Sequence, residues 1–270
     1  MKNFYKYGIC SWCLPKGEDP CLTASKLSLD GIELDLGNYE QGLPLSKQSA
    51  IDKIIDSSNK YNIEISTLAL NTLCDHGLGN KNKQKIVREV LKVAVDTASK
   101  LNVKLIQLPS FNDGFIRNEN QLLETAENIK YVCDLAMDKN IKIGSENALS
   151  ILENEKLIDL VQKDNFYLYF DNSNPIWMGG FDSVSLLKRF SKNIIEYHYK
   201  DEDSKTDADN RNFVPLFTGK SIVKECIDEM KKNHFSGYLH LENSYHNLSN
   251  EEAFENLKRD IIKLKEYIGG

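Results

Sequence analysis

Four short segments each end on a residue able to bind a cation or move a proton: Gly144-Ser145-Glu146, Tyr169-Phe170-Asp171, Tyr197-His198 and His240-Leu241-Glu242. Each closes a run that is rich in apolar residues. If these runs are strands, residues two apart share a face. Leu239 and Leu241 then point one way, and His240 and Glu242 the other. The same phase sets Ile141 and Ile143 opposite Glu146, turns Asp171 inward, and groups His198 with Glu196 and Lys200. One strand-end carboxylate taken alone is read as a helix cap or loop acceptor. Three that converge would repel one another unless a cation neutralised them. Glu146, Asp171, His198 and Glu242 together offer three carboxylates and an imidazole. That donor set suits one divalent ion: manganese first, with zinc, cobalt or magnesium as alternatives.

Such side chains need a scaffold that delivers strand ends to one place. Runs near 5–10, 30–35, 62–69, 103–108, 141–146, 166–171, 194–199 and 237–242 read as strands. Between them apolar residues recur at three- and four-residue steps, as in Val87, Val90, Leu91, Ala94, Ala98 and Leu101, which predicts helices with one buried face. Asn62, Asn102 and Asn140 stand just before three of the strands, where an Asn in the left-handed conformation ends a helix. Asp30-Gly31 and Ser236-Gly237 are expected to do the same. Strands alternating with helices through short turns predict an α/β fold, a (β/α)8 TIM barrel of residues 1–270 as a single domain. An open doubly wound sheet would be expected to carry a Gly-rich loop after its first strand, and Cys10-Ser11-Trp12-Cys13 is not one.

Composition narrows the partners. A net charge of -6 disfavours nucleic acid, leaving a small molecule as the expected partner. No apolar run reaches the length of a membrane span, and the first residues lack a secretory pattern, so the expectation is a cytoplasmic protein without membrane contact. The six cysteines are then expected to be reduced.

Taken together, Gly144-Ser145-Glu146-Asn147, Tyr169-Phe170-Asp171-Asn172-Ser173-Asn174, Tyr197-His198-Tyr199-Lys200-Asp201 and Leu239-His240-Leu241-Glu242 resemble the xylose isomerase-like barrel family of sugar-phosphate isomerases and epimerases. Within it the likeness is to L-ribulose- or L-xylulose-5-phosphate 3-epimerases and ketose 3-epimerases. The resemblance implies a metal-dependent epimerase or isomerase, acting by 3-epimerisation of a ketose or its phosphate through an enediolate. Glu146 and Glu242 would be both ligands and the acid/base pair, one removing a proton and the other returning it to the opposite face. It further implies substrate contacts from Arg211, which precedes Val214-Pro215-Leu216, and from Asn174. Glu33 and Lys200 are placed with that substrate set, and a homo-oligomer is expected. The chain departs from the pattern at Phe217-Thr218-Gly219-Lys220, where many relatives carry Gly-Glu-Gly. Lys220 could meet a phosphate there or be an exposed first-turn lysine.

Smaller signals complete the reading. Trp12 is expected to wall the substrate, and His76 to line the pocket or to ride on a loop. Cys10-Ser11-Trp12-Cys13 has redox or zinc spacing, but no second pair accompanies it. Trp177-Met178-Gly179-Gly180 would cover the site, and the acidic stretch 201–209 reads as a solvated loop apart from Asp201. Dehydration of an inosose-like ketone and aldose-ketose isomerisation would use the same ligands. A non-catalytic sugar-binding barrel would be expected to lose them. An apurinic endonuclease would need more than five histidines.

Overall fold

Strand pairing follows chain order without a crossover, β1-β2-β3-β4-β5-β6-β7-β8, and closes into a parallel barrel. The computed structural model describes residues 5–203 and 211–269. The strands are β1 (Tyr5–Cys10), β2 (Gly31–Asp35), β3 (Glu64–Ala69), β4 (Leu105–Pro109), β5 (Lys142–Glu146), β6 (Phe166–Asp171), β7 (Ile194–Tyr199) and β8 (Gly237–Leu241). The helices are α1 (Pro20–Lys26), α2 (Gln48–Tyr61), α3 (Leu73–His76), α4 (Gln84–Lys100) and α5 (Glu119–Met137). After them come α6 (Ile151–Val161), α7 (Ser183–Phe190), α8 (Val223–Lys232) and α9 (Asn250–Gly269). This is the (β/α)8 TIM barrel expected from the alternation of apolar runs.

Local chemistry explains the element ends. Asp19 caps α1 by accepting from Cys21 N and Leu22 N, with Pro20 at its first position. Ser150 and Glu153 form a reciprocal capping box on α6. Asn62, Asn102 and Asn140 take φ of 54°, 56° and 55°, so the three expected helix-to-strand reversals fall on them. The other two expected reversals fall elsewhere. Ser28 (φ 55°) and His234 (φ 54°) turn the chain instead. Both α1 and α8 end earlier than the glycines suggest, so the reversal is complete before either Gly is reached. Gly31 is needed for space, because a Cβ there would run into the Tyr238 ring.

The chain divides into two compact units. One comprises the described residues of Met1–Glu33, Ser57–Glu64 and Phe170–Gly270. In it β1 pairs with β8 from Tyr5↔Gly237 to Ile9↔Leu241, and β7 pairs with β8 at His198↔His240. Its core includes Ile9, Ile32, Tyr197, Tyr199, Met230, Leu239 and Leu257, all 0% exposed. The other unit comprises Leu34–Asp56 and Ile65–Tyr169. There β4 pairs with β5 from Leu105↔Lys142 to Pro109↔Glu146, and Leu91, Ala94, Ile106, Ile129 and Ile143 are fully buried. Among the described residues no helix is long and apolar enough to cross a membrane.

Candidate metal centre and active site

Strand register assembles the first unit's site in layers. Gly8 of β1 and His198 of β7 both lie level with His240 of β8, and Cys10 lies level with Glu33 of β2. Gly8 matters for space: a Cβ there would strike the His240 imidazole. One step further along β8, Glu242 N donates to Tyr199 O at 2.9 Å, so the strand pairing carries on to Glu242.

Asp171, His198 and Glu242 each offer one ligand atom, and these atoms lie within 4.8 Å of one another. Their orientations are fixed by neighbours. Asp171 Oδ1 accepts from Ser173 N at 2.8 Å and Asn174 N at 2.5 Å, which leaves Oδ2 facing Lys200 Nζ at 2.9 Å. Glu242 Oε1 takes the Trp12 indole N–H at 3.2 Å, and its Oε2 takes the Lys200 ammonium. His198 Nδ1 lies 3.4 Å from Glu242 Oε2, while Nε2 lies 2.7 Å from Glu33 Oε2 and 3.4 Å from Cys10 Sγ. Trp12 meets the His198 ring edge-on at 6.2 Å.

The electrostatics follow from this packing. Burial alone would raise the Glu242 carboxyl, but Lys200 and His198 outweigh it and hold the group well below the ordinary carboxylate range. Burial pushes the Cys10 thiol up, and its contact with Cys13 and the charges of Glu33 and Glu242 push it further, so it is protonated at neutral pH. Burial lowers His240 to about 4, with the charge of Glu33 only partly offsetting it, so this imidazole is neutral.

In the other unit, Glu146 closes β5, 3% exposed, and accepts a hydrogen bond from Gln107 Nε2 on β4. His76 ends the short α3, 2% exposed, with Nε2 3.2 Å from Glu40 Oε1 and its ring edge-on to Tyr39. It is therefore held on a helix rather than carried on a loose loop.

Several of the expected substrate residues carry definite structural partners. Glu33 is wholly enclosed against His198, Cys10 and His240. Arg211 forks onto Glu202, with Nε 2.8 Å from Oε2 and Nη2 on Oε1, and this partner outweighs burial to keep the guanidinium charged. Asn174 is buried and opens the π-turn Pro175–Gly179. In that turn Trp177 donates to Ser221 Oγ at 3.1 Å. Lys220 is exposed. Asp201 is a loop organiser, accepting from Gly219 N, Ser221 N and Glu202 N. Of the acidic stretch 201–209, positions 204–209 lie outside the described residues. The Cys10 and Cys13 thiols are free and buried.

Three supporting residues were missed in the sequence. Gln107 is the polar residue within Leu105-Ile106-Gln107-Leu108, and that isolation was the available signal. Asn172 accepts from Lys200 N and donates to Lys200 O, both at 2.9 Å. Asn243 accepts from Asp201 N at 2.8 Å and donates to Asp260 Oδ2 at 2.8 Å, which also takes the Tyr245 hydroxyl.

Known proteins fit this architecture. The curated relatives include 2-epi-5-epi-valiolone 7-phosphate 2-epimerase of Actinoplanes sp., 29% identical over 175 residues, which is 64% of each chain. Inosose dehydratase of Clostridium perfringens is 24% identical over 60% of this chain and 59% of its own. The chain thus spans less than two thirds of the length of these relatives. Among solved structures, the IOLI protein with a bound zinc atom superposes with a TM-score of 0.78 at 18% identity, over 98% of both chains. D-allulose 3-epimerase from Methylomonas sp. in complex with D-allulose gives 0.77 at 14% identity, again over 98% of both. Residues 22–266 match the family described as xylose isomerase-like TIM barrel, and the chain belongs to that family.

Proposed function

We propose that this chain is a metal-dependent epimerase or isomerase that shifts a proton beside the carbonyl of a ketose or ketose phosphate, most simply by 3-epimerisation. The observation that carries the reading is that one ligand atom each from Asp171, His198 and Glu242 falls within 4.8 Å of the others, and the reading adds Glu146 from the strand-end pattern of the sequence. Three carboxylates and an imidazole, all but Glu242 buried, fit a divalent ion. The ion is taken as manganese, and the zinc in the IOLI structure supports zinc as the alternative. When bound, it would supply Lewis-acid polarisation of the substrate carbonyl.

The protein's own part is proton transfer and positioning. Glu242 is assigned as one proton-transfer group; Lys200 and His198 keep it ionised, and its basicity rises when the lysine is drawn off. Glu146, which accepts from Gln107, is assigned as the second proton-transfer group. Trp12 holds the Glu242 carboxylate, and Trp12 and Lys200 are assigned to the border of the substrate. Arg211, Asn174 and His76 are assigned to substrate. Glu33 is assigned to holding the His198 ring rather than to substrate, because it is wholly enclosed. The reading takes the chain as one domain and a cytoplasmic protein. A homo-oligomer and the absence of nucleic-acid or membrane partners belong to the same reading.

The epimerase and the D-allulose complex among the relatives support sugar chemistry. The inosose dehydratase favours a second reading, loss of water after the same proton abstraction. The test is deuterium incorporation from D2O, followed by NMR, with Mn2+ and a panel of ketoses, ketose phosphates and inososes. Exchange next to a carbonyl that disappears in Glu242→Gln is expected, and product analysis separates epimer from dehydrated ketone. No exchange with any of these compounds, in protein that holds its metal, would sink the proposal.

A further inference from the structure

Lys200 brings an ammonium to a place where lysines seldom sit. Its side chain is 1% exposed, and Nζ contacts both Asp171 Oδ2, at 2.9 Å, and Glu242 Oε2. Both carboxylates are among the four assigned above to the metal. Their other oxygens are already taken, Asp171 Oδ1 by two backbone N–H groups and Glu242 Oε1 by Trp12. The ammonium therefore holds oxygens that a divalent ion would need. Two positive charges cannot share those oxygens at full strength, because like charges at contact distance repel strongly at the low dielectric of a buried site. The Lys200 backbone is pinned on both sides by Asn172, so any change of partner must come from the flexible side chain alone.

We propose that Lys200 is a built-in counter-cation of the metal site: it bridges Asp171 and Glu242 when no divalent ion is bound, and ion entry displaces its ammonium. The inference rests on the metal reading above. It has two consequences. The metal-free protein keeps its ligand carboxylates neutralised and in place. The price is affinity, because an entering ion must first break the lysine's contacts with Asp171 and Glu242.

The experiment compares wild type with Lys200→Met by isothermal titration with MnCl2 and by thermal unfolding in EDTA and in saturating Mn2+. Removing one partner of a buried ion pair is strongly destabilising, so the metal-free variant should melt roughly 5 °C or more below wild type. Saturating Mn2+ should narrow that gap. The Mn2+ dissociation constant should fall about tenfold or more, because the competing charge is gone. Should Lys200→Met fail to fold in EDTA, refolding with Mn2+ decides the question: recovery with the ion is expected, and no recovery overturns the inference. An unchanged or weaker Mn2+ affinity in the variant also overturns it, and would leave Lys200 as a substrate contact only. Absence of Mn2+ uptake by wild type is a different failure, which removes the metal reading and the inference with it.

Discussion

The Nε2 atom of His198 lies 2.7 Å from Oε2 of Glu33, a partner 165 residues away in the chain, and both side chains are 0% exposed. A carboxylate on one ring nitrogen fixes the orientation and tautomer of the imidazole and makes its other nitrogen, here Nδ1 beside Glu242, a better ligand. Glu33→Gln keeps the shape and loses the charge. Mn2+ affinity should drop about 10–100-fold, as loss of an outer-sphere partner typically does. Calorimetric titration measures it, and an unaltered affinity would remove Glu33 from this role.

Glu242→Gln should abolish solvent exchange into substrate far more than it weakens substrate binding. General acid/base groups contribute about 10²–10⁴-fold, so exchange should fall within that range for Glu242→Gln and for Glu146→Gln. NMR in D2O reads both variants directly. Retention of full exchange in either one would exclude that glutamate as a proton-transfer group.

His240 gives a pH dependence of stability. Its imidazole titrates at about 4 in the folded protein because it is buried, against about 6.5 in the unfolded chain. As pH falls, the unfolded chain takes up this proton first. The contribution is therefore fully present above about pH 6.5 and lost as pH falls towards 4, by at most ~3 kcal/mol. Urea unfolding midpoints from pH 4 to 7 should be steeper in pH for wild type than for His240→Gln, and parallel profiles would refute the assignment.

Gly8→Ala places a methyl against the same imidazole. Overpacking of this kind costs about 1–3 kcal/mol. Combining it with His240→Ala should give less destabilisation than the sum of the two single changes, because the clash partner is gone. Denaturant titration of all three variants checks this, and strict additivity would show that the ring is not what Gly8 accommodates.

The thiols should be slow to react. Five of the six cysteines are buried, and the partly exposed Cys74 is pushed up to about 12, first by burial and then by the charge of Glu146. Alkylation requires the thiolate. Iodoacetamide at pH 7.5 should label native protein slowly and all six sites in guanidinium, with mass spectrometry reading both. Rapid labelling of the native form would contradict the packing.

Strand phase made much of this arrangement legible in advance. Alternation alone gives Glu146, Asp171, His198 and Glu242 the inward phase of their own strands, because period-two patterning is a local property. Asn62, Asn102 and Asn140 were readable for the same reason, as single residues suited to a left-handed turn. What stayed hidden depends on distant partners. Nothing near Glu33 in sequence says that it will meet His198, and nothing near Arg211 says that Glu202 will take up its guanidinium. Gly31 misled because glycine also serves where space is short, and only the opposing Tyr238 shows that.

The bonds around Asn243 also run against the order in which the chain is made. Asn243 holds the backbone after β7 through Asp201 N, and is itself held by Asp260 on α9. Asp260 also accepts from Leu216 N and from the Tyr245 hydroxyl. A nascent chain that has passed Glu242 thus carries every proposed ligand but not yet the anchor that steadies the loops beside them. The ligands are synthesised before the clamp, so the loop after β7 gains this anchor only once Asp260 has been made.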